Sequence, residues 1–313
     1  MLIKRNLSPL KVVSYVWQPA LYAAAVAVAV LVLRLALPDA GWFLVPFAPI
    51  GTLAAALAIV VAFRANAAYQ RWAEARTLWQ GVTNNSRILA RQVIAATGDA
   101  IAAGKGGPAP EVLAYQREVV LRVAAFAWTL RSELRGLDAT EGLDRLLSPD
   151  EFKRIEAAEN RSNMMLTDIG IMIKQGVRAE RIGQFDPIVL EPNLAALNNW
   201  TGGAEKIKNT PIPRQYSFFS RAFIATLTTL LPFGLAGLLD GVLLWWLVPL
   251  STLVSGLFIL LERTSEVNDQ PFANRTTDVP LTAICRDLER DLREMLGDTD
   301  LPPRPVPVDG YLW

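Results

Sequence analysis

The sequence predicts an all-α membrane protein with four transmembrane helices in each chain. Three observations support this fold class. The chain contains four long apolar runs, a charged and helix-favouring segment separates the second run from the third, and 52% of the residues are apolar with a mean hydropathy of +0.26. The number and length of the apolar runs indicate a membrane protein and not a large soluble domain.

The first two apolar runs predict a hairpin near the N-terminus. Residues 21–37 are almost entirely Ala, Val and Leu, and after a Pro-Asp-Ala-Gly turn residues 42–63 form the second run. Both are about as long as a helix must be to cross ~30 Å of hydrocarbon. Arg34 lies close enough to the turn to extend its head group to the interface. A cleaved signal peptide is the alternative for the first run, but Trp42 opens another apolar stretch where polar mature sequence is expected.

The second pair of runs predicts another hairpin, and the positive charges predict its orientation. Residues 223–239 and 242–261 flank an Asp-Gly turn. Lys and Arg precede the first hairpin, follow it and precede the second, whereas the turns at Asp39 and Asp240 carry neither. The positive-inside rule therefore predicts a multi-pass membrane protein with both termini in the cytoplasm.

The predicted organisation has four parts. These are an N-terminal segment with the first hairpin (1–63), a cytoplasmic helical region (64–217), the second hairpin (218–261) and a cytoplasmic helix with an extended tail (262–313). In the cytoplasmic region, residues 96–110 are rich in Gly, Ala and Pro and predict a loop. An amphipathic helix is expected to follow, with Leu113, Val119, Val123, Phe126 and Leu130 at helical spacing.

Two helix starts are predicted from capping patterns. Ser148, Pro149 and Glu151 form a capping-box sequence. Asp278 is expected to cap a final helix that carries Leu281, Ile284, Leu288 and Leu292, and the proline-rich segment that follows is predicted to be extended.

Composition excludes several function classes. The chain has no His and a single Cys, which removes Ser-His and Cys-His nucleophiles, intrachain disulfides and cysteine-rich zinc sites. Its net charge of +1 provides no overall basic field for nucleic acid. We therefore expect neither an enzyme nor a nucleic-acid-binding protein.

Three motifs resemble those of the bestrophin family of ion channels. Residues 63–79 follow the bacterial pattern FRxNxxYxRWxEARxLW, residues 209–216 read NTPIPRQY, and DQPF at 269–272 is followed by DVPLTAIC at 278–285. The resemblance covers essentially the whole chain. It implies a homopentamer around a central pore, with an apolar neck in the membrane and a second constriction in the cytosol.

The resemblance assigns candidate residues to both constrictions. The neck falls on Ala55, Ile59 and Phe63, which share one helix stripe at a spacing of four. The cytosolic aperture falls on Phe185, with Ile188 as the alternative if the loop register differs. Without the motif, a helix-packing surface is the preferred interpretation of the stripe at 55, 59 and 63, and the motif reverses that preference.

Calcium is the cofactor that the resemblance to bestrophins suggests. Animal bestrophins bind it through an acidic run after the fourth span, and this chain keeps only Asp269 and Asp278 there, beside Arg275. Calcium prefers several oxygen ligands with dense negative charge. We therefore expect weak calcium regulation or none, with these aspartates serving as structural caps, and we predict no cofactor.

The expected function is passive conduction of small monovalent ions. The resemblance favours chloride, although some bacterial members favour cations. A non-conducting membrane scaffold and a secondary transporter remain as alternatives, and the partners expected are further copies of the chain, the lipid bilayer and the conducted ions. A transporter requires broken helices, for which Pro46, Pro49, Pro232 and Pro249 are the candidates.

Overall fold

The structure, a computed structural model, describes residues 9–138, 142–143, 145–307 and 310–312. Within these residues the regular structure is helical, which confirms the predicted all-α class. The helices are α1 (Pro9–Ala36), α2 (Phe47–Ala102), α3 (Ala109–Arg135), α4 (Pro149–Glu156), α5 (Arg161–Arg178), α6 (Pro187–Asn209), α7 (Arg214–Ala236), α8 (Leu247–Asn268) and α9 (Leu281–Met295), with 3-10 turns at Gly41–Phe43 and Gly241–Trp246.

Four helical segments are long and apolar enough to span a membrane. They are Tyr15–Ala36, Gly41–Ala102, Arg214–Ala236 and Gly241–Asn268. Each segment overlaps one of the four apolar runs of the sequence, so the predicted number of spans is confirmed. The fourth run begins with a 3-10 turn and becomes α-helical only at Leu247.

The second span belongs to a helix of 56 residues that continues far beyond the apolar run. The loop predicted at 96–110 is therefore shorter, because α2 ends at Ala102 and α3 begins at Ala109. Alanine favours the helix, and Gln116 Nε2 donates to Thr97 Oγ1 at 2.7 Å, which fixes the last turns against α3. The chain leaves the helix where Gly104 adopts a φ of +66°, a conformation that glycine reaches at little cost.

The chain divides into two compact units. We call residues 9–72 with Pro211–Gln270 the membrane unit, because they carry the four apolar segments. We call Ala73–Thr210 with the described residues from Pro271 onward the helical body. The predicted domain limits at residues 63 and 261 lie at the ends of apolar runs, and the limit at 217 precedes the third run. All three remain predictions of where the bilayer ends.

The membrane unit packs its four helices around an apolar core. The core includes Ala27 and Val30 of α1, Ile50, Leu57 and Val61 of α2, Leu227 and Leu231 of α7, and Leu247 and Ile259 of α8. The two hairpin turns are joined by an ion pair between Arg34 Nη2 and Asp240 Oδ1 at 3.2 Å, and Arg34 also donates to the carbonyl of Pro38. The arginine near the end of the first span thus finds its partner in the turn of the second hairpin.

The prolines considered for a transporter do not break the spans. Pro46 precedes α2, whereas Pro49 and Pro249 lie in the first turns of α2 and α8. An N–H is not required at these positions, so proline fits there without interrupting the helix. Pro232 lies inside α7, which is nevertheless continuous from Arg214 to Ala236.

In the helical body α3 is central, and the predicted amphipathic pattern holds only in its first half. Val119, Val123, Phe126 and Leu130 are fully buried, and every residue from 123 to 132 is buried as well. Helices α5, α6 and α9 pack against α3, so a single apolar face does not describe its second half. Leu113 is 49% exposed, which corrects its predicted place in the core.

A buried carboxylate lies beside α3 in the same unit. Glu289 of α9 is completely buried, and its Oε2 accepts a hydrogen bond from Trp128 Nε1 at 3.0 Å. Three guanidinium groups surround it, with Arg293 Nε at 3.3 Å, Arg145 Nη2 at 3.5 Å and Arg286 Nη1 at 3.7 Å from its oxygens. Charge compensation of this kind is what allows an ionised group to be buried.

Two of the other local predictions are confirmed. Ser148 and Glu151 form the capping box at the start of α4, with the Ser148 N–H donating to Glu151 Oε2 at 3.0 Å. Residues 301–307 have no helical structure. The single cysteine, Cys285, is buried in α9 with its thiol 3.3 Å from the carbonyl oxygen of Ala127.

Candidate functional site

The neck candidates form a stripe on the outer face of the membrane unit. Ile59 is 59% exposed, Phe63 is 72% exposed, and Ala55 is also exposed. Leu57 and Val61 point the other way into the core. A helix turns by 100° per residue, so a residue two positions away lies on nearly the opposite side. The stripe is therefore not packed against its own unit.

Polar residues bound this apolar stripe at both ends. Thr52 lies one turn before Ala55, and Asn66 and Gln70 follow Phe63 on the same face, all of them exposed. The rise of 1.5 Å per residue makes the stripe from Ala55 to Phe63 about 12 Å long. Rings of such side chains, brought together from several chains, can control ion passage by dewetting.

A buried polar cluster holds α2 in place at the Phe63 end of the stripe. Arg64, next to Phe63, donates from Nη1 to Glu262 Oε1 and from Nη2 to Ser217 Oγ at 2.9 Å. Ser220 Oγ donates to the other oxygen, Glu262 Oε2, at 2.7 Å. This cluster joins α2, α7 and α8, and both charged side chains are almost completely buried. The turn of α2 that carries Phe63 is therefore anchored to α7 and α8.

Asp269 also binds an arginine of α2. Arg71 Nε donates to the Asp269 carbonyl at 2.8 Å and lies 3.6 Å from its Oδ1. Burial raises the pKa of Asp269, and the nearby guanidinium groups of Arg71 and Arg64 partly oppose that rise. Two positive charges beside the carboxylate would repel a calcium ion, so the donor set around Asp269 does not fit a calcium site.

Asp278 does not cap the final helix as predicted. Helix α9 begins at Leu281 with Pro280 at the capping position and no side-chain cap. Asp278 is buried, and its Oδ2 accepts the Arg275 N–H at 3.0 Å, so the carboxylate is used within the preceding loop. Burial is the main cause that raises its pKa. Among the described residues, no three His, Cys, Asp or Glu side chains form a group that could hold a metal ion.

Both aperture candidates lie on the surface of the helical body. Phe185 precedes α6 and is 76% exposed, and Ile188 in its first turn is 71% exposed. Asp186 Oδ2 accepts the Gly183 N–H at 2.6 Å and holds this loop in shape. Val189, which sequence reasoning did not single out, is exposed beside Ile188. Exposure alone does not choose between Phe185 and Ile188.

The Arg64–Glu262 pair is the feature that sequence reasoning missed. Its signal was a single arginine at the end of one apolar run and a single glutamate at the end of another. The two residues are 198 positions apart, so no local periodicity links them. Charged residues at the ends of spans are expected to pair or to line a polar cavity, and that rule would have suggested the pairing.

Comparison with known proteins identifies relatives along nearly the whole chain. The family model described as bacterial/fungal bestrophin protein matches residues 7–294. The voltage-dependent anion channel-forming protein YneE of Escherichia coli strain K12 is 31% identical over 265 residues, which cover 84% of this chain and 81% of that protein. The anion channel-forming protein mll4386 of Mesorhizobium japonicum is 31% identical over 267 residues, covering 84% of this chain and 79% of the relative.

Solved structures agree in fold. A crystal structure of a bacterial bestrophin homolog from Klebsiella pneumoniae matches with a TM-score of 0.79 and 28% identity, covering 90% of this chain and 98% of the other. A crystal structure described as a membrane protein with one substituted residue matches with a TM-score of 0.81 and 28% identity, covering 91% of this chain and 100% of the other. The resemblance that the motifs carried is confirmed, and the chain belongs to the bacterial and fungal bestrophin family.

Proposed function

We propose that this protein is an anion channel in which several copies of the chain form one pore. The observation that carries the proposal is the apolar stripe of Ala55, Ile59 and Phe63, which faces away from the core of its own unit. An exposed apolar stripe between polar residues suits a shared pore neck, because symmetry repeats the same side chains around one axis. Relatives named as anion channel-forming proteins support the choice of ion.

The assembly in this proposal is a homopentamer with two constrictions. Ala55, Ile59 and Phe63 form the neck, and Phe185 or Ile188 forms the cytosolic aperture. Ala55 is small, so the end of the neck that it lines is the wider one. The apolar neck does not itself distinguish anions from cations, and charges along the cytosolic vestibule set the selectivity.

The proposed location is the bacterial inner membrane with both termini in the cytoplasm. Lys and Arg flank the apolar runs on one side, whereas the hairpin turns contain none. A cysteine introduced at the exposed Asp39 tests this orientation, because the native Cys285 is buried. Asp39→Cys should react with a membrane-impermeant thiol reagent added outside spheroplasts, and protection from that reagent would contradict the orientation.

Ion flux is tested by the reversal potential of purified protein in planar bilayers with a tenfold NaCl gradient. An ideally selective pore reverses at about 59 mV in magnitude, and the sign tells chloride from sodium. We expect reversal close to the chloride value. Reversal near the sodium value would make the protein a cation channel. An intact oligomer without current at any voltage would support the scaffold alternative.

A further inference from the structure

A cavity of about 180 Å³ lies within the membrane unit between α1, α7 and α8. It opens on the surface of the unit and has no part in the stripe proposed as the neck. Pro19 and Tyr22 of α1 form one wall, and Ile224, Thr228 and Ile259 contribute the facing walls. Pro19 lies inside α1 and lacks the N–H that would continue the helical hydrogen bonds at this wall.

The lining changes from apolar to charged along α7 and α8. On α7, Thr228 and Ile224 lie in the apolar part, and Arg221 lies at the charged end about two turns from Thr228. On α8, Ile259 lies in the apolar part, and residues 262–266 follow at the charged end. The charged end lies where the apolar runs give way to polar sequence, at the predicted cytoplasmic boundary of the bilayer.

The charges at that end leave one arginine without a carboxylate. Glu262 pairs with Arg64, and Glu266 Oε2 lies 3.3 Å from Arg263 Nη1. Arg221 donates from Nε to the Ser217 carbonyl of its own helix at 3.2 Å, and no ion pair forms at Arg221 within the described part of the chain. The charged lining of the cavity thus consists of Arg221, Arg263, Glu262 and Glu266, and both carboxylates are already paired, Glu262 with Arg64 outside the lining and Glu266 with Arg263.

An apolar slot with one uncompensated guanidinium at its boundary end matches an anionic phospholipid. Arginine binds phosphate oxygens through parallel N–H donors, and such charge-assisted bonds are about twice as strong as neutral ones. Anionic lipids are also attracted to basic residues at the cytoplasmic surface. A zwitterionic lipid gains less here, because its cationic head group would lie beside the Arg221 guanidinium, which has no carboxylate to offset its charge.

We propose that the cavity between α1, α7 and α8 binds one anionic glycerophospholipid, with its phosphate on Arg221 and an acyl chain along Ile224, Ala225 and Ile259. This site does not depend on ion conduction, since a scaffold with the same fold would hold the lipid equally well. The lipid would fill the groove beside α1 and hold α1 against α7 and α8.

The test is lipid binding to purified, delipidated protein in detergent by native mass spectrometry. The probes are phosphatidylglycerol and phosphatidylcholine with identical acyl chains, and inorganic phosphate. We expect phosphatidylglycerol to bind at least about tenfold more tightly than phosphatidylcholine, a difference of one charge-assisted contact. Equal binding of the two lipids would overturn the proposal, as would full competition by millimolar inorganic phosphate, which would indicate a site for free anions.

Variants locate the site. Arg221→Gln should remove the preference for phosphatidylglycerol, whereas Arg214→Gln, at an exposed position two turns earlier on α7, should keep it. Ala225→Leu places a larger side chain in the groove and should weaken binding of both lipids. Each variant is first shown to have the wild-type oligomer size. Unchanged phosphatidylglycerol binding in Arg221→Gln and Ala225→Leu would contradict the proposed place.

Discussion

The two units bury a carboxylate in different surroundings. In the membrane unit, Glu262 meets one guanidinium, that of Arg64, and the hydroxyl of Ser220. In the helical body, Glu289 meets the guanidinium groups of three arginines and the indole N–H of Trp128. The pair at Glu262 neutralises one charge at the end of the spans. The contacts of Glu289 connect α9 to α3 through the hydrogen bond with Trp128.

The two units also differ in the large apolar side chains that they expose. The membrane unit exposes large apolar side chains along its helices, such as Leu21, Val32, Leu253 and Leu257, which is the expected surface of a protein surrounded by lipid. The helical body instead buries Trp79, Trp128 and Phe126, although Phe185 and Ile188 are exposed. Its stability therefore follows the rules of soluble domains, in which leaving a buried charge unpaired costs about 3–5 kcal/mol.

The largest expected effect is in the helical body. Glu289→Ala removes the carboxylate that the guanidinium groups of Arg286 and Arg293 surround, and we expect a loss of about 3–5 kcal/mol in unfolding free energy. Chemical denaturation in detergent micelles measures it. Glu294→Ala, at an exposed position on the same helix, is the matched control and should change stability by less than about 1 kcal/mol. Equal effects of the two variants would contradict the role of Glu289.

A smaller effect is expected in the membrane unit. Glu262→Gln removes the charge opposite Arg64 but keeps an acceptor for Ser220, so we expect a loss of about 2 kcal/mol. The same denaturation experiment applies, with Glu266→Gln as the control because its ion pair with Arg263 is exposed. If both substitutions are silent, the cluster does not anchor α2.

The smallest effect is a dependence on pH in the helical body. Burial raises the pKa of Asp278 in the folded protein, so the folded state holds this proton more tightly than the unfolded state does. Its contribution to stability is present below the unfolded pKa of about 3.9 and is lost as the pH rises through the higher folded value. Asp278→Asn keeps the acceptor for Arg275 N–H and should flatten this decline. Parallel stability curves for the two proteins between pH 4 and neutrality would contradict it.

Much of the membrane unit could be predicted because its signals are local. The apolar runs give the number of spans, and the motif after the second run fixes where to count the stripe of Ala55, Ile59 and Phe63. The pairing of Arg64 with Glu262 could not be predicted, because it joins positions that are distant in sequence. The cavity at Arg221 likewise depends on three helices meeting.

Some predictions for the helical body were wrong even though local sequence patterns supported them. Local patterns were present at residues 96–110, Leu113 and Asp278, but a tertiary contact outweighed the first and a competing local hydrogen bond outweighed the last. The hydrogen bond from Gln116 to Thr97 and the burial of Ala96 and Ala100 favour a longer α2 than the glycines suggest. Asp278 does not cap α9 because its carboxylate accepts a hydrogen bond from a backbone N–H within its own loop.

The central claim is that the exposed stripe of α2 lines the pore, and single-channel conductance of Phe63→Ala tests it most directly. The matched control is Phe219→Ala, an equally drastic change at an exposed aromatic residue of α7. Both proteins must first show the wild-type oligomer size. If Phe63 lines the neck, removing its ring widens the pore, and conductance should rise in Phe63→Ala and stay at the wild-type value in Phe219→Ala. Wild-type conductance in Phe63→Ala, with a change in Phe219→Ala, would place the pore on α7 and contradict the account.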